Sequence, residues 1–420
     1  MNVNDSEKIN HLLKKKRMER VKEPDNADLI IINSCAVREK AQEKIFSYIG
    51  RLDQKQKIVV SGCVAQSEKK MILKRNRKVD FVVGTHQFYE INGIIDEYLL
   101  KNKRGTNTEF SREWSETVPD IHARENEFTG YVSIMEGCDN FCTYCIVPFT
   151  RGREKYRPYK NILKEVDYLA ENGFKEIVLL GQNVNSWKDQ ENGISFAALL
   201  DRIAEIKKIK WIRFITSYPG YYESELIDVM KKNRNIARHI HFPVQSGSTR
   251  ILKKMGRAYT RQKYIDIISK FKEEIPEIKF SSDFIVGFPG ESERDFKLTL
   301  SLMEKIGYDS MFSFIYSPRK YTKAALIKDD IPAEVKKERL QRLHELQKKI
   351  QLAAHSMLVG KEFEVMVTGK NPRRKGELLG RTESYKVVNF PGIHMPGEFV
   401  TVRIEHFGPY SLRGVEIPGK

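Results

Sequence analysis

Six short apolar runs recur between residues 130 and 315, and a helical stretch separates each run from the next. Runs rich in β-branched and aromatic residues that alternate with helices predict a parallel sheet with covered faces. A closed eight-stranded barrel usually needs about 250 residues, so six units predict a partial (β/α)6 barrel. Its strands are predicted at about 130–135, 175–180, 211–215, 238–242, 279–285 and 311–315. Its helices are predicted at 160–171, 195–207, 223–231, 261–273 and 293–305.

The chain has 420 residues, which predicts two to four domains at roughly 100–200 residues each. Before the partial barrel, three apolar strands alternate with helices and predict a parallel α/β domain. After it, a long helix at 333–358 leads into alternating segments with Gly and Pro turns, which predict a small all-β barrel. The N-terminal strands are predicted at 28–34, 57–62 and 79–84, with helices at 6–20, 37–52 and 66–75. The C-terminal strands are predicted at 362–368, 385–389, 398–404 and 411–416. The predicted division is 1–100 for the α/β domain, 101–127 for a polar linker, 128–355 for the partial barrel with its trailing helix, and 356–420 for the β-barrel.

The composition and the apolar runs argue against a membrane-spanning or secreted protein. The longest apolar runs, such as 29–32 and 177–180, fall far short of the roughly 18 residues that span a bilayer. The charged N-terminus does not resemble a secretory signal, so we expect a cytoplasmic protein whose cysteines are metal-binding or catalytic rather than disulfide-bonded. The net charge of +17 favours a polyanionic partner, although a basic enzyme without a nucleic-acid partner has the same composition.

Three of the five cysteines follow the first barrel strand at the spacing C-x3-C-x2-C, as Cys138, Cys142 and Cys145. Three thiolates on one compact loop can hold a 4Fe-4S cluster by three corners and leave one iron open. A structural zinc site is the alternative, but it needs four ligands, and no further His or Cys lies close in sequence.

This spacing is the signature of the radical S-adenosylmethionine superfamily, and the resemblance covers the whole partial barrel. It implies that the open iron binds S-adenosylmethionine and that cleavage of the sulfonium bond gives a 5′-deoxyadenosyl radical. The resemblance also places Tyr144 near the adenine of that cofactor, although Tyr144 could equally be a core aromatic residue.

Longer motifs resemble the methylthiotransferase family within that superfamily. They are the runs at 138–158, 181–185, 242–248 and 283–291. The resemblance implies an α/β domain with a second 4Fe-4S cluster, the radical barrel, and a C-terminal TRAM barrel that binds RNA. Cys35 in NSCAVREKA and Cys63 in VSGCVAQ match two of the three cysteines that hold the second cluster in this family.

In this family the first auxiliary cysteine directly precedes a Met-Asn-x-x-Asp-Ser-Glu run, and here the chain starts at that run, Met1 to Glu7. We expect the matching cysteine just before Met1, because the start was misassigned or the N-terminus was trimmed. The first predicted helix agrees, since in a βα alternation it should follow a strand. The chain as written could hold the second cluster only with a substitute ligand.

Four polar residues lie at or just after the ends of barrel strands, where barrel active sites are built. They are Gln182, Ser217, Gln245 and Asp283. Each could contact the methionine or ribose part of the cofactor, or could satisfy loop backbone. His239 and His241 alternate along one strand, and we expect them to be structural.

Residues 151–154, 380–383 and 387–390 most resemble the branch that modifies N6-dimethylallyladenosine at tRNA position 37. The resemblance implies methylthiolation of C2 of that base. One S-adenosylmethionine methylates a sulfur on the auxiliary cluster, and a second supplies the radical that removes the C2 hydrogen. We expect a monomer that binds the tRNA anticodon arm and meets electron-donor and sulfur-supply proteins, with no membrane partner. The basic loop 373–375 fits a tRNA ligand, although such a loop is often simply solvated.

Two alternatives remain open from the sequence. The same machinery could act on threonylcarbamoyladenosine in tRNA or on a ribosomal-protein aspartate. The chain could also be a non-enzymatic, zinc-stabilised RNA-binding protein.

Overall fold

The computed structural model describes residues 1–35, 39–53 and 55–417, without the side chains of 39–42. The predicted start of the second helix at 37 and the last three residues of the predicted C-terminal domain lie outside the described residues. Within the described ranges the three predicted architectures are present: a parallel α/β sheet, a partial barrel and a closed β-barrel. The fold class is therefore confirmed, while the domain limits remain predictions.

The N-terminal sheet is parallel, with its four strands in the order β1-β2-β3-β4. The strands are β1 (Leu29–Ser34), β2 (Lys57–Ser61), β3 (Phe81–Val83) and β4 (Gly105–Asn107). The first three were predicted, but β4 falls in the segment predicted to be a linker. Gly105-Thr106-Asn107 has no apolar run to reveal a strand. It pairs through its backbone with β3, and a Cβ at Gly105 would lie 2.6 Å from the ring of Phe81.

Helices cover this sheet and connect it to the rest of the molecule. They are α1 (Asn2–Lys15), α2 (Glu39–Arg51), α3 (Gly62–Glu68), α4 (Lys70–Arg75) and α5 (Ile91–Ile94). The apolar side of α1 packs through Ile9 with Val59 and Phe81. Its polar side faces the partial barrel, where the Asp5 carboxylate pairs with the buried Arg151 guanidinium at 2.5 Å. α1 therefore connects the N-terminal sheet to the barrel.

The partial barrel consists of two three-stranded parallel sheets, β11-β8-β5 and β12-β13-β14. Its six strands are β5 (Thr129–Ser133), β8 (Glu176–Leu180), β11 (Trp211–Ile215), β12 (His239–His241), β13 (Lys279–Val286) and β14 (Ser310–Ile315). Two-residue strands in the connecting loops are β6 (Met135–Glu136), β7 (Lys155–Tyr156), β9 (Lys188–Asp189) and β10 (Ile194–Ser195). A single parallel bridge between Ile212 and Ile236 lies where β11 meets β12. All six predicted barrel strands are present, with ends within two residues of the prediction.

Helices follow the barrel strands along the chain. They are α6 (Val147–Thr150), α7 (Tyr159–Glu171), α8 (Phe196–Ala204), α9 (Glu225–Lys232), α10 (Thr249–Lys254), α11 (Arg261–Glu274), α12 (Glu293–Ile306) and α13 (Ala333–Ser356). Every residue of β8 is buried, and Ile177 and Leu179 belong to the largest apolar core. Burying one such side chain contributes about 1.5–3 kcal/mol, so this core rigidly supports the strand ends.

The C-terminal region is a closed five-stranded barrel with the order β15-β16-β17-β19-β18. Its strands are β15 (Glu362–Lys370), β16 (Glu377–Thr382), β17 (Val387–Pro391), β18 (Phe399–Phe407) and β19 (Leu412–Glu416). The sequence prediction missed β16 because Gly380 interrupts its apolar pattern. Glycine is needed there, since a Cβ would lie 2.3 Å from the Val365 side chain.

The β16–β17 hairpin of this barrel closes the N-terminal end of the partial barrel. The Arg381 guanidinium bonds the carboxylate of Glu176, the first residue of β8, and the hydroxyl of Thr129, the first residue of β5. The Lys386 ammonium pairs with Asp309, which directly precedes β14. The two sheets of the partial barrel therefore share one C-terminal partner.

No helix in the described part of the chain is long and apolar enough to cross a bilayer.

Candidate functional site

The loop that carries three cysteines begins directly after β6. It starts at Gly137, where φ is +83° and a Cβ would lie 2.0 Å from the Arg153 carbonyl oxygen, so only glycine fits. The loop backbone is held on both sides. The Cys138 amide donates to the Gly152 carbonyl at 3.2 Å, and the Thr143 amide donates to the Met255 carbonyl at 2.9 Å.

The ends of β1 and β2 bring the other two cysteines together. Cys35 follows β1, and Cys63 is the second residue of α3, which begins where β2 ends. A parallel bridge joins Ser34 to Gly62 directly beside the two cysteines. Because neighbouring parallel strands end at the same edge of a sheet, the two thiols lie on the same side of the N-terminal sheet.

A cavity of about 730 Å³ opens at the carboxyl ends of the barrel strands. Its walls come from the partial barrel, the cysteine loop and the ends of β1 and β2. Ten residues predicted from the sequence line it: Cys35, Cys63, Cys138, Cys142, Tyr144, Cys145, Gln182, Ser217, Gln245 and Asp283. The structure thus brings all ten together, while their roles stay predictions.

Burial changes the acidity of two thiols in the cysteine loop. It raises the pKa of the Cys138 thiol to about 11 and that of Cys145 to about 12. Thiolates at these positions therefore need compensating positive charge, which bound iron supplies. Two donors already point at the sulfurs: the Asn140 amide lies 3.4 Å from Cys138 Sγ, and Arg257 Nη1 lies 3.6 Å from Cys142 Sγ.

The donor set fits a cluster held by spaced thiolates. Within residues 1–35, 39–53 and 55–417, no three His, Cys, Asp or Glu side chains converge closely enough to hold a single metal ion. The three loop cysteines line one cavity, and three thiolates can hold a cubane by three of its corners.

The polar residues at the ends of the barrel strands differ in whether they already have hydrogen-bond or charge partners within the protein. Gln182 Oε1 accepts a hydrogen bond from the Gly137 amide at 2.6 Å, so it also supports the cysteine loop. Asp283 Oδ1 lies 3.5 Å from His241 Nε2. The buried Ser217 hydroxyl has no hydrogen-bond partner among the described residues. Ser217 is therefore the member of this set that most clearly needs a ligand.

Tyr144 and the two histidines retain strong structural contacts. The Tyr144 side chain packs against a cluster that includes Ile251 and Met255, so part of it belongs to the core. His241 Nδ1 lies 2.9 Å from the Ser281 hydroxyl, and the His239 ring meets Tyr385 edge-on at 5.5 Å. Both histidines lie outside the cavity lining.

Arg257 is the main cavity residue that the sequence reasoning missed. Its guanidinium lies 4.4 Å from the centre of the Tyr218 ring, and its Nη2 donates to the Pro243 carbonyl at 2.5 Å. A single arginine in a Lys-Lys-Met-Gly-Arg segment carries no spacing signal. Arg257 approaches Cys142 only in the folded protein, where the residues after α10 pack against the cysteine loop.

Three family models match the chain. The Radical SAM superfamily model matches residues 132–303, and the TRAM domain model matches 357–415. The model described as Uncharacterized protein family UPF0004 matches residues 1–84. Each match falls on one of the three architectures.

Curated relatives are similar along nearly the whole chain. The tRNA-2-methylthio-N(6)-dimethylallyladenosine synthase of Clostridium botulinum strain Langeland is 42% identical, and the match covers 99% of this chain and 95% of that protein. The protein of the same name from Myxococcus xanthus is 43% identical, with 99% and 92% covered. That from Carboxydothermus hydrogenoformans is 42% identical, with 99% and 96% covered.

Solved structures show the same fold at low sequence identity. The radical S-adenosylmethionine methyltransferase TsrM from Kitasatospora setae matches with a TM-score of 0.55 and 12% identity, covering 77% of this chain and 74% of that one. The cobalamin-dependent radical enzyme OxsB matches with a TM-score of 0.51 and 16% identity, covering 82% and 53%. These likenesses concern the fold alone.

Proposed function

Because the chain belongs to the family of tRNA-2-methylthio-N(6)-dimethylallyladenosine synthases, we propose that it replaces the C2 hydrogen of N6-dimethylallyladenosine at tRNA position 37 with a methylthio group. It is an enzyme of the radical S-adenosylmethionine class, which implies that cofactor and a 4Fe-4S cluster. The observation that carries the proposal is that all five cysteines face one cavity at the carboxyl ends of the barrel strands.

Cys138, Cys142 and Cys145 would hold the radical cluster. When bound, the cluster and S-adenosylmethionine together supply a carbon-centred radical. The chain contributes the geometry: Gly137 lets the loop turn, and the Thr143 amide holds it against Met255. Arg257 Nη1 lies 3.6 Å from Cys142 Sγ and would donate a hydrogen bond to this sulfur.

The polar residues on the strand ends would bind S-adenosylmethionine. The unpartnered Ser217 hydroxyl and the half-buried Asp283 carboxylate can bond its ribose or its amino group. Gln245 has φ +77°, which is unusual for a residue with a side chain and is consistent with a position fixed for binding. Tyr144 would lie against the adenine, while its core contacts keep the ring in place. Gln182 would act mainly by bonding the Gly137 amide.

Cys35 and Cys63 would hold the second, auxiliary 4Fe-4S cluster, which supplies the sulfur. They share the cavity with the radical cysteines, so sulfur and radical would meet at one substrate base. Met1 and Asn2 line the same cavity. Iron and sulfide analysis after anaerobic reconstitution of the wild type and of Cys63→Ala tests this. About four irons indicate the radical cluster alone, and about eight indicate both.

The substrate would be the anticodon arm of tRNA, with its target base out of the stack to reach the cavity. The TRAM barrel and the net charge of +17 would provide the electrostatic attraction. Electron-donor and sulfur-supply proteins would be further partners of the working enzyme, which we expect to be a monomer.

The proposed function is tested by mass spectrometry of tRNA nucleosides from a strain that lacks the gene. We expect 2-methylthio-N6-dimethylallyladenosine to disappear and its unthiolated precursor to accumulate. A complementing copy should restore the product, and a Cys63→Ala copy should not. Loss of a methylthiolated threonylcarbamoyladenosine instead would assign the chain to the other acceptor, and unchanged tRNA would contradict the proposal.

A further inference from the structure

Three aromatic rings form a continuous surface beside the mouth of the cavity. Phe141 belongs to the cysteine loop, Phe149 to α6, and Tyr321 to the loop after β14. The ring centres of Phe141 and Phe149 are 6.3 Å apart, and those of Phe149 and Tyr321 are 5.9 Å apart. We call these three residues the aromatic rim.

The two outer rings are exposed and stand on unusual backbone. Phe141 is 40% exposed with φ +44°, and Tyr321 is 60% exposed with φ +68°. Residues of this size rarely adopt positive φ, because Cβ then crowds the backbone. Such strain clusters at ligand clamps and active sites. Phe149 differs, since it packs into the N-terminal core and anchors the group.

The stability of the fold does not explain why Phe141 and Tyr321 are exposed on strained backbone. An exposed ring gains little from burial, and a strained backbone works against stability. The surroundings hold the strain in place: the Ala324 amide, three residues after Tyr321, donates to the Thr143 carbonyl at 2.7 Å. The Tyr321 loop and the cysteine loop are therefore fixed to each other, and the rim has a constant position relative to the three cysteines.

Two exposed cations lie beside the rim. The Arg153 guanidinium lies 4.7 Å from the centre of the Phe141 ring; its side chain is 70% exposed and forms a surface ion pair with Asp139 at 3.3 Å. Lys323 is exposed two residues after Tyr321. Exposed aromatic rings among cations are how proteins hold single-stranded nucleic acid, because bases stack on the rings and phosphates pair with the cations.

We propose that the exposed Tyr321 ring stacks an unpaired nucleobase that neighbours the base being modified, with Phe141 bordering the same site at an angle to it. The inference rests on the proposed function. A base that enters the cavity leaves its neighbour without a stacking partner, which costs a few kcal/mol. An aromatic ring at the rim replaces the lost partner and so holds the RNA loop in its open form. Arg153 and Lys323 are placed to pair with the adjoining phosphates.

The first test compares RNA binding by anaerobically reconstituted enzyme variants. The probe is a fluorescent anticodon stem-loop containing N6-dimethylallyladenosine, and its dissociation constant is measured by anisotropy. Tyr321→Ala should weaken binding about 5- to 150-fold, the range expected for one base–aromatic stack. Tyr321→Phe keeps the ring and should stay within about twofold. Tyr48→Ala, at an exposed tyrosine in α2, is the matched control and should bind like the wild type.

The second test removes the base instead of the ring. A stem-loop that is abasic at one neighbour of the target base should bind wild-type enzyme more weakly, while Tyr321→Ala should lose no further affinity for it. Phe141→Leu removes the bordering ring and should weaken binding less than Tyr321→Ala does. Equal, additive losses at both neighbouring positions would overturn the inference.

The two proposals fail in distinguishable ways. If the enzyme methylthiolates the stem-loop but Tyr321→Ala binds it as tightly as wild type, the stacking inference is wrong and the proposed function stands. If the wild-type enzyme neither binds nor modifies the stem-loop, both are wrong.

Discussion

The two ends of the partial barrel are built in opposite ways. At the carboxyl ends of the strands, loops surround an open cavity with buried thiols and an unpartnered Ser217 hydroxyl. At the amino ends, the β16–β17 hairpin inserts charged and aromatic side chains whose partners are already in the chain. Arg213 pairs with Glu176 at 2.5 Å and lies 3.9 Å from the centre of the Tyr385 ring.

We infer from this difference that the open end serves the reaction and the closed end stabilises the fold. At the open end the buried Ser217 hydroxyl has no hydrogen-bond partner among the described residues and can take one from a ligand. At the closed end the carboxylates of Glu176 and Asp309 are paired with cations, although Arg381 Nε lacks a hydrogen-bond partner in the described part of the chain. Positive φ does not separate the two ends, since it occurs at Gln245 and Phe141 at the open end and at Tyr385 in the β16–β17 hairpin. Changes at the open end should therefore remove activity at small cost in stability, and changes at the closed end should do the reverse.

The largest expected effect is at the open end. Cys142→Ala removes one of three thiols from the cysteine loop, so we expect reductive cleavage of S-adenosylmethionine to be abolished. The side chain is small, and the midpoint of urea unfolding of the metal-free protein should shift little. Chromatography of 5′-deoxyadenosine measures the first result. Cleavage that persists in Cys142→Ala would remove this loop from the chemistry.

The next effect is at the closed end. Glu176 is fully buried and pairs with both Arg213 and Arg381. Glu176→Gln leaves two guanidinium groups without their carboxylate, which should lower the free energy of unfolding by about 3–5 kcal/mol. Urea unfolding followed by circular dichroism measures the loss.

The matched control for Glu176 is an exposed pair of the same type. Glu171 and Lys208 are 2.5 Å apart at the surface, so Glu171→Gln should cost less than about 1 kcal/mol. Equal losses for Glu176→Gln and Glu171→Gln would contradict the division between the two ends.

The smallest expected effect is a pH dependence at the closed end. Burial, together with the positive charges of the nearby Arg213, His241 and Lys386, lowers the pKa of His239 to about 3. Because the unfolded chain binds this proton near pH 6.5 and the folded chain does not, stability is full above pH 6.5 and falls as the pH drops toward 3. The partial exposure of His239 limits the loss to about 1 kcal/mol at pH 5.

His239→Leu should remove that part of the acid sensitivity. Between pH 7 and pH 5 the unfolding midpoint of the wild type should fall more than that of the variant. Equal decreases would show that folding does not lower the pKa of His239.

Sequence periodicity predicted the six barrel strands because each one is a buried apolar run. It missed β4 and β16, whose residues carry no such run and are strands only because a neighbouring strand pairs with them. The ten cavity residues were predictable from motifs and strand ends. Arg257 and the aromatic rim were not, since Phe141 and Tyr321 are 180 positions apart and meet only through Phe149.

The hairpin at the closed end limits how this protein can be recombined. Its contacts are shared between two regions of the chain: Arg381, Glu383 and Lys386 on one side, and Glu176, Arg238 and Asp309 on the other. A chimera that exchanges only the C-terminal barrel for one without these partners would leave buried charges unmatched. The two regions should therefore be inherited and engineered as one unit. A fragment ending before residue 357 would expose the charged residues at the amino ends of the barrel strands to water.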